Sequence, residues 1–322
     1  MDDRFLHDQR RDPDPAFARN LRERLRAGEG EAPERRFRLA PAIAAAAAVA
    51  VVAGLVFLPS VRAAAQGLLD FFRVRNFAAV EFDPARIERL RATQNDPAMF
   101  LFDHKEVLQD PGPRQTYASA AEAAAAAGLT LLTPAELPSG LALDRVEVQG
   151  EARARFTAST ARLRALLDAL DLRDVEVPRE LDGATVAVHL QPLVAQVYRK
   201  DKLEASLMQS MSPEVDLPAG ADPARLGEIG LRILGLDAGE ARRFAGSVDW
   251  RNTLVVPVPA GASSFREVTV GGGRGLLVAT RERADGRTRS GALLLWTAGD
   301  RVLALAGNLE ERDLLLMAES VR

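Results

Sequence analysis

Residues 275–307 read GLLVATRERADGRTRSGALLLWTAGDRVLALAG, and the architecture is built outward from them. Three apolar runs stand out: Gly275 to Thr280, Ala292 to Thr297 and Val302 to Ala306. Ala284-Asp285-Gly286 and Ala298-Gly299-Asp300 separate them. Glycine-bearing connections of that length join antiparallel neighbours. The stretch therefore predicts three consecutive antiparallel strands.

Upstream, Thr253 to Val258 and Glu267 to Val270 read as further strands, and Ala221 to Gly235 and Ala238 to Val248 as helices. Ala184 to Leu190 alternates, with Val186, Val188 and Leu190 on one side and His189 on the other. Val194 to Tyr198, Leu203 to Gln209, Leu143 to Val148 and the short Arg155 to Ala158 complete the expected strands. Thr160 to Leu172 places Leu163, Leu166, Leu167 and Leu170 on one helical face. Ser119 and Glu122 form a capping box for the alanine run that closes on Gly128. Downstream, Asn308 reads as the cap of a final helix with Leu314, Met317 or Ala318, and Val321 inward. The expected fold class is α+β, an antiparallel sheet with packed helices. One transmembrane helix and a short cytoplasmic tail are expected to precede it.

That helix is read from Leu39 to Val61, LAPAIAAAAAVAVVAGLVFLPSV, which carries no charge. As a helix it would reach roughly 35 Å, enough for a hydrocarbon core of about 30 Å. A cleaved signal peptide ending near Ala63-Ala64-Ala65 and a buried alanine-rich helix are the competing readings. Arg19, Arg22, Arg24, Arg26, Arg35, Arg36 and Arg38 precede the segment, against Arg62, Arg73 and Arg75 after it. The bias orients the N-terminus to the cytoplasm and the C-terminal part outside. The expected organisation is a tail over 1–38, the span over 39–61, a juxtamembrane helix and connector over 62–115, and an extracytoplasmic domain over 116–322. QDPGPRQ at 109–115 marks the last boundary.

In the tail, Phe17, Leu21 and Leu25 fall at i, i+4 and i+8 between Pro15 and Gly28. That is one apolar stripe on a three-turn helix, suited to docking on a cytoplasmic partner or to lying solvated beside the membrane.

Composition narrows the chemistry. The 322 residues include no cysteine, so disulfides, thiolate–zinc sites, iron–sulfur clusters and thiol catalysis are excluded. A balance of 42 basic and 45 acidic residues argues against direct nucleic-acid binding. No phosphate-binding, nucleophile-elbow or zinc-protease motif occurs, no cofactor or metal is implied, and no enzyme is expected. Gly271 to Gly275 is flanked by strands and reads as a strand connection. His104 beside Asp103 and Glu106 reads as surface, and Asp249, Glu282, Asp285 and Glu311 have no spacing that pairs them. Trp250 and Trp296, the two tryptophans, read as core, with a groove for a lipid or peptide as the alternative.

Four segments carry a family resemblance: VRAAAQGLLDFFRV (61–74), LDGATVAVHLQPLVAQVYR (181–199), SVDWRNTLVVPVP (247–259) and LLLWTAGDRVLALAGNLEERDLLLMAESVR (293–322). Together they resemble bacterial single-pass membrane proteins with an extracytoplasmic domain of unknown function, often described as anti-sigma-factor-like envelope regulators. The resemblance implies a sensor whose partner is a sigma factor or another cytoplasmic regulator. Zinc-binding members pair a histidine with cysteines in the cytoplasmic part; here Phe17, Leu21 and Leu25 would dock without metal. An extracytoplasmic module that captures a lipid, peptide or envelope polymer, with an inert tail, is the second expectation.

Overall fold

The computed structural model describes residues 74–86 and 101–322, apart from 219, 261–262 and 285–286. All of them belong to one compact unit. The chain order is β1 (Asn76–Phe82), β2 (Phe102–Gln109), β3 (Gln115–Tyr117), α1 (Ala120–Ala127), β4 (Ala142–Gln149), β5 (Ala152–Ala158) and α2 (Thr160–Ala169). It continues with β6 (Thr185–Leu190), β7 (Leu193–Lys200), β8 (Leu203–Met211), β9 (Glu214–Asp216), α3 (Pro223–Leu234) and α4 (Ala238–Ser247). It closes with β10 (Thr253–Pro259), β11 (Ser263–Val270), β12 (Gly273–Ala284), β13 (Arg287–Ala298), β14 (Arg301–Gly307) and α5 (Glu311–Glu319).

The three strands expected over 275–307 are β12, β13 and β14, paired antiparallel in that order. They anchor an eight-stranded sheet, β11-β12-β13-β14-β8-β7-β4-β3. The run Leu293-Leu294-Leu295-Trp296 shows why this sheet is buried on both faces. Leu294 and Trp296 enter one cluster with Leu303, Leu305 and the Met317 side of α5. Leu293 and Leu295 join the opposite cluster with Leu276, Val278, β1, β10, α3 and α4. A strand covered on both sides needs apolar residues at consecutive positions. Strands β12 and β13 also run further than their apolar runs, because register pairing continues from Ala279↔Ala292 to Ala284↔Arg287 through the polar half of the hairpin.

A smaller sheet, β2-β5-β6-β9, packs its Phe156, Val186 and Val188 into the larger core. The Phe102 and Phe156 rings meet at 4.9 Å. The third sheet is the parallel pair β1-β10, with Asn76 opposite Thr253. Asn252 organises that junction. Its carbonyl accepts from the Arg75 and Asn76 amides, and its side chain joins Asn76 to Asp249.

Two expectations are corrected here. The fold is not an α+β arrangement of one antiparallel sheet with packed helices. Among the described residues it is mostly β, 44% strand against 26% helix, in three sheets of which one is parallel. The juxtamembrane helix expected at the start of 62–115, over AAAQGLLDFFRVRNF (63–77), fails at its C-terminal end, where β1 begins at Asn76. Alternation there is masked because Phe77 and Val80 are the buried positions, three residues apart. Strands β2, β3 and β9 carry no apolar alternation and owe their state to pairing alone. The second correction concerns the membrane. Among the described residues no helix is long and apolar enough to cross one, so the described structure conflicts with the single-pass reading in supplying no span for it. The longest, α3, has 12 residues, roughly 18 Å at 1.5 Å per residue. Residues 39–61 lie outside the described residues. Asn308 is also not a helix cap: α5 starts after Glu310, and Asn308 instead pins the β7–β8 turn through the Glu204 amide and the Lys202 carbonyl.

A polar knot fixes the segment after α1 to the sheet. Gln196 and Gln209, both fully buried, donate to the Leu132 carbonyl at 2.7 and 2.9 Å, and Gln209 accepts from the Leu132 amide at 2.9 Å. Tyr198 donates to Gln196 at 2.8 Å. Burial pushes the Tyr198 phenol up to about 12, so it remains a donor. The knot satisfies amides that would otherwise be buried without partners.

Helix α3 shows how closely the core is fitted. Asp222 caps it, Pro223 occupies its first turn and Gly235, at φ 113°, closes it. Gly227 on its buried face lies flat under the Trp250 indole, whose N–H donates to the Ala245 carbonyl at 2.8 Å. A Cβ at 227 would lie 2.2–2.6 Å from three atoms of that ring, too close to be accommodated without a shift. Gly227→Ala therefore destabilises the protein by about 1–3 kcal/mol through overpacking, despite roughly 1 kcal/mol of helix propensity in alanine's favour. Gly246→Ala in α4 meets no atom within 4 Å and raises stability. Urea unfolding of the two variants checks the opposite signs.

Candidate functional site

The chain from Leu170 to Asp182 leaves the end of α2 and returns to its start. Leu170 closes α2, and Asp171 turns the chain with φ 56°, a left-handed conformation that Asp tolerates better than most residues. Leu172 then tucks back, its amide bonded to the Leu167 carbonyl at 2.8 Å and its side chain buried. Asp174 takes a two-pronged contact from Arg232 of α3, 2.8 Å to each carboxylate oxygen. Glu176 pairs with Arg225 at 2.9 Å. Leu181 is buried, and Asp182 accepts from the Thr160 amide (3.0 Å) and hydroxyl (2.8 Å). The loop is thus held at both ends and twice along its length.

Between this loop and α2 lies a cleft of roughly 540 Å³. Helix α2 contributes Arg164, Leu167 and Asp168, which the i, i+3, i+4 spacing places on one face. The loop contributes Leu172, Arg173, Val175, Glu176, Val177 and Arg179. Glu176 and Val177 also wall a second cleft of roughly 330 Å³ toward Ala221 and Leu226. Arg164 reaches its own helix at Thr160, 3.4 Å away. Arg173 and Arg179 have no hydrogen-bond or ion-pair partner among the described residues. The arginines behind the loop, Arg225 and Arg232, are both paired.

A second polar cluster crosses the small sheet. Gln109, Arg153, His189 and Glu214 stand opposite one another across β2, β5, β6 and β9. His189 Nε2 lies 2.5 Å from Glu151, and Nδ1 lies 2.9 Å from Glu214. Both contacts are hydrogen bonds only when both ring nitrogens carry protons, because ionised carboxylates only accept. Arg153 also bonds Glu151 and holds its carboxyl below the usual range, with His189 adding to the effect. The cluster ties the β4–β5 turn and the short β9 to the sheet. It forms no group of ligands that could hold a metal among the described residues.

The tail residues Phe17, Leu21 and Leu25 lie outside the described residues. Trp250 and Trp296 are both buried, but in clusters on opposite faces of the large sheet. The structure does not bring them together in a groove. His104 sits on the exposed edge strand β2, and Glu311 pairs with Arg266 at 3.2 Å. Gly271 and Gly272 form the β11–β12 turn, both at positive φ. The cleft was missed because LRDVEVPREL (172–181) alternates charges without any motif spacing. Its one cue was a polar, proline-bearing stretch between a helix and a strand.

Compared with protein families, curated proteins and solved structures, the chain matches none. The resemblance to envelope regulators rests on the sequence segments that carry it.

Asp182 makes the cleft sensitive to acid. The Thr160 hydroxyl and amide hold its carboxyl below the ordinary value of 3.8. A depressed folded-state pKa contributes stability that is present above 3.8 and is lost as pH falls through the folded value. Asp182→Asn keeps an acceptor for Thr160 but does not titrate. The stability gap between wild type and Asp182→Asn therefore narrows as pH drops below about 3.8, read from urea midpoints across an acid series.

Proposed function

We propose that residues 74–322 form a non-enzymatic binding module that takes a small ligand in the cleft between α2 and the 170–182 loop. The observation that carries this is the loop's fixation. Buried Leu172 and Leu181 and the Asp182–Thr160 hydrogen bonds anchor its two ends, and Asp174 meets the largely buried Arg232 between them. The cleft wall is thus in place before a ligand arrives, which lowers the ordering cost of binding. Its size falls in the range of small-molecule sites, about 300–1,000 Å³. Val175 and Val177, half-buried, offer apolar surface beside the charged rim, with Leu167 and Leu172 buried behind them.

Filling the cleft tests this. Val175→Trp places an indole where the ligand would sit. In a thermal-shift screen of a chemically mixed library, wild type gains stability with at least one compound class in a saturable manner. Val175→Trp, measured against its own ligand-free melting temperature, loses that response. Retention of the response in the variant would place the ligand elsewhere and reject the cleft.

A regulatory role has separate support from the tail, where the spacing of Phe17, Leu21 and Leu25 favours a docking helix. In a pull-down with the full chain, a sigma factor or other transcription regulator is expected as partner. Changing all three residues to serine should abolish its recovery; unchanged recovery would remove the tail from the interaction.

A further inference from the structure

We infer that the ligand of the cleft is an organic acid: a carboxylate or phosphate head held by Arg173 and Arg179, with an apolar body. This rests on the cleft being a binding site, and it adds the chemistry of the occupant.

The argument starts from the distribution of arginine partners around one loop. Arg225 and Arg232 approach the loop from α3 and are neutralised by Glu176 and Asp174. Arg173 and Arg179 line the cleft and have no partner among the described residues. Arg164 joins them from α2, where it donates to the Thr160 hydroxyl and its charge already acts on Asp182. Of the two carboxylates in the lining, Glu176 pairs with Arg225, and Arg164 is offset by Asp182, which leaves Asp168 against the two guanidiniums of Arg173 and Arg179. The cleft therefore carries a positive surplus although the whole chain is slightly acidic, at -3.

Guanidinium groups bind carboxylate and phosphate oxygens through paired N–H donors, and these charge-assisted bonds are stronger than neutral ones. A bare inorganic ion would leave most of the roughly 540 Å³ unfilled. Leu167 and Leu172 are buried in the core behind the cleft, and the half-buried Val175 and Val177 supply the apolar surface against which a short hydrocarbon body would pack. Shared oxyanion chemistry does not distinguish a carboxylate from a phosphate head, so both are probed.

Calorimetric titration of the full chain uses octanoate, octyl phosphate, octyl glucoside and inorganic phosphate, each in monomeric solution. Octanoate or octyl phosphate should bind with one site, octyl glucoside should not, and inorganic phosphate should bind at least tenfold more weakly. Arg173→Gln with Arg179→Gln should weaken the acid at least tenfold. Val175→Trp should abolish it, and Arg251→Gln, an exposed charge control, should change nothing. Far-ultraviolet circular dichroism confirms that each variant is folded.

Equal binding of octyl glucoside, lost in Val175→Trp but indifferent to the arginine pair, overturns the acid and leaves the cleft as a binding site. Acid binding that survives Val175→Trp overturns both. Inorganic phosphate binding as tightly as octyl phosphate overturns the apolar body. Failure of both acids to bind overturns the inference, while the cleft itself is judged by the library screen.

Discussion

Burial of β12, β13 and β14 on both faces is the constraint on which the rest of the structure depends. Leu294, Leu303 and Leu305 are fully buried on one side, and Leu276, Val278 and Leu295 are buried on the other. A sheet exposing either face would present a large apolar surface to water, at roughly 25 cal/mol for each Å². One side is closed by α5. The other is closed by the β1-β10 pair together with α3 and α4. The need for a second cover explains why β1 pairs parallel with a strand far away in sequence, and why Trp250 packs onto Gly227 with no room between them.

The same cover creates the cleft. Helix α3 buries Leu226, Ile229, Leu231 and Leu234 against the large core and leaves Arg225 and Arg232 at its margin. Those two arginines reach the 170–182 loop and hold it. Packing on one side of α3 thus sets the position of a polar loop on the other. The loop needs this help, because charged residues beside solvent give it little apolar burial of its own. Exposed ion pairs contribute little to stability individually. The Arg232–Asp174 contact, in which one guanidinium nitrogen meets both carboxylate oxygens, is better placed, since the arginine side chain is 11% exposed. The cleft thus has a floor from α2 and a wall held from behind.

Polar groups inside the fold act mainly as specifiers of register. Gln196 and Gln209 bind one backbone carbonyl from two adjacent strands, and His189 spans two carboxylates on the small sheet. Each group would be costly to leave unpartnered. Each therefore favours a single alignment of the segments it joins. Asn252 does the same for the parallel pair.

The sequence by itself determined the strands whose apolar pattern has a local cause. The runs of β12 to β14, the alternation of β6, the leucine face of α2 and the Ser119 and Gly128 ends of α1 were readable because neighbours in sequence carry the signal. It did not determine β2, β3 or β9, whose residues are polar and become strands by borrowing hydrogen bonds from a partner. Nor did it determine the parallel pairing of β1, because a strand's direction relative to a distant partner has no local trace. Tertiary structure alone separated Trp250 from Trp296 and gathered Arg164, Arg173 and Arg179 around one cleft. The physical reason is the same in each case: periodicity reports which face of an element is buried, while only packing decides what that face meets.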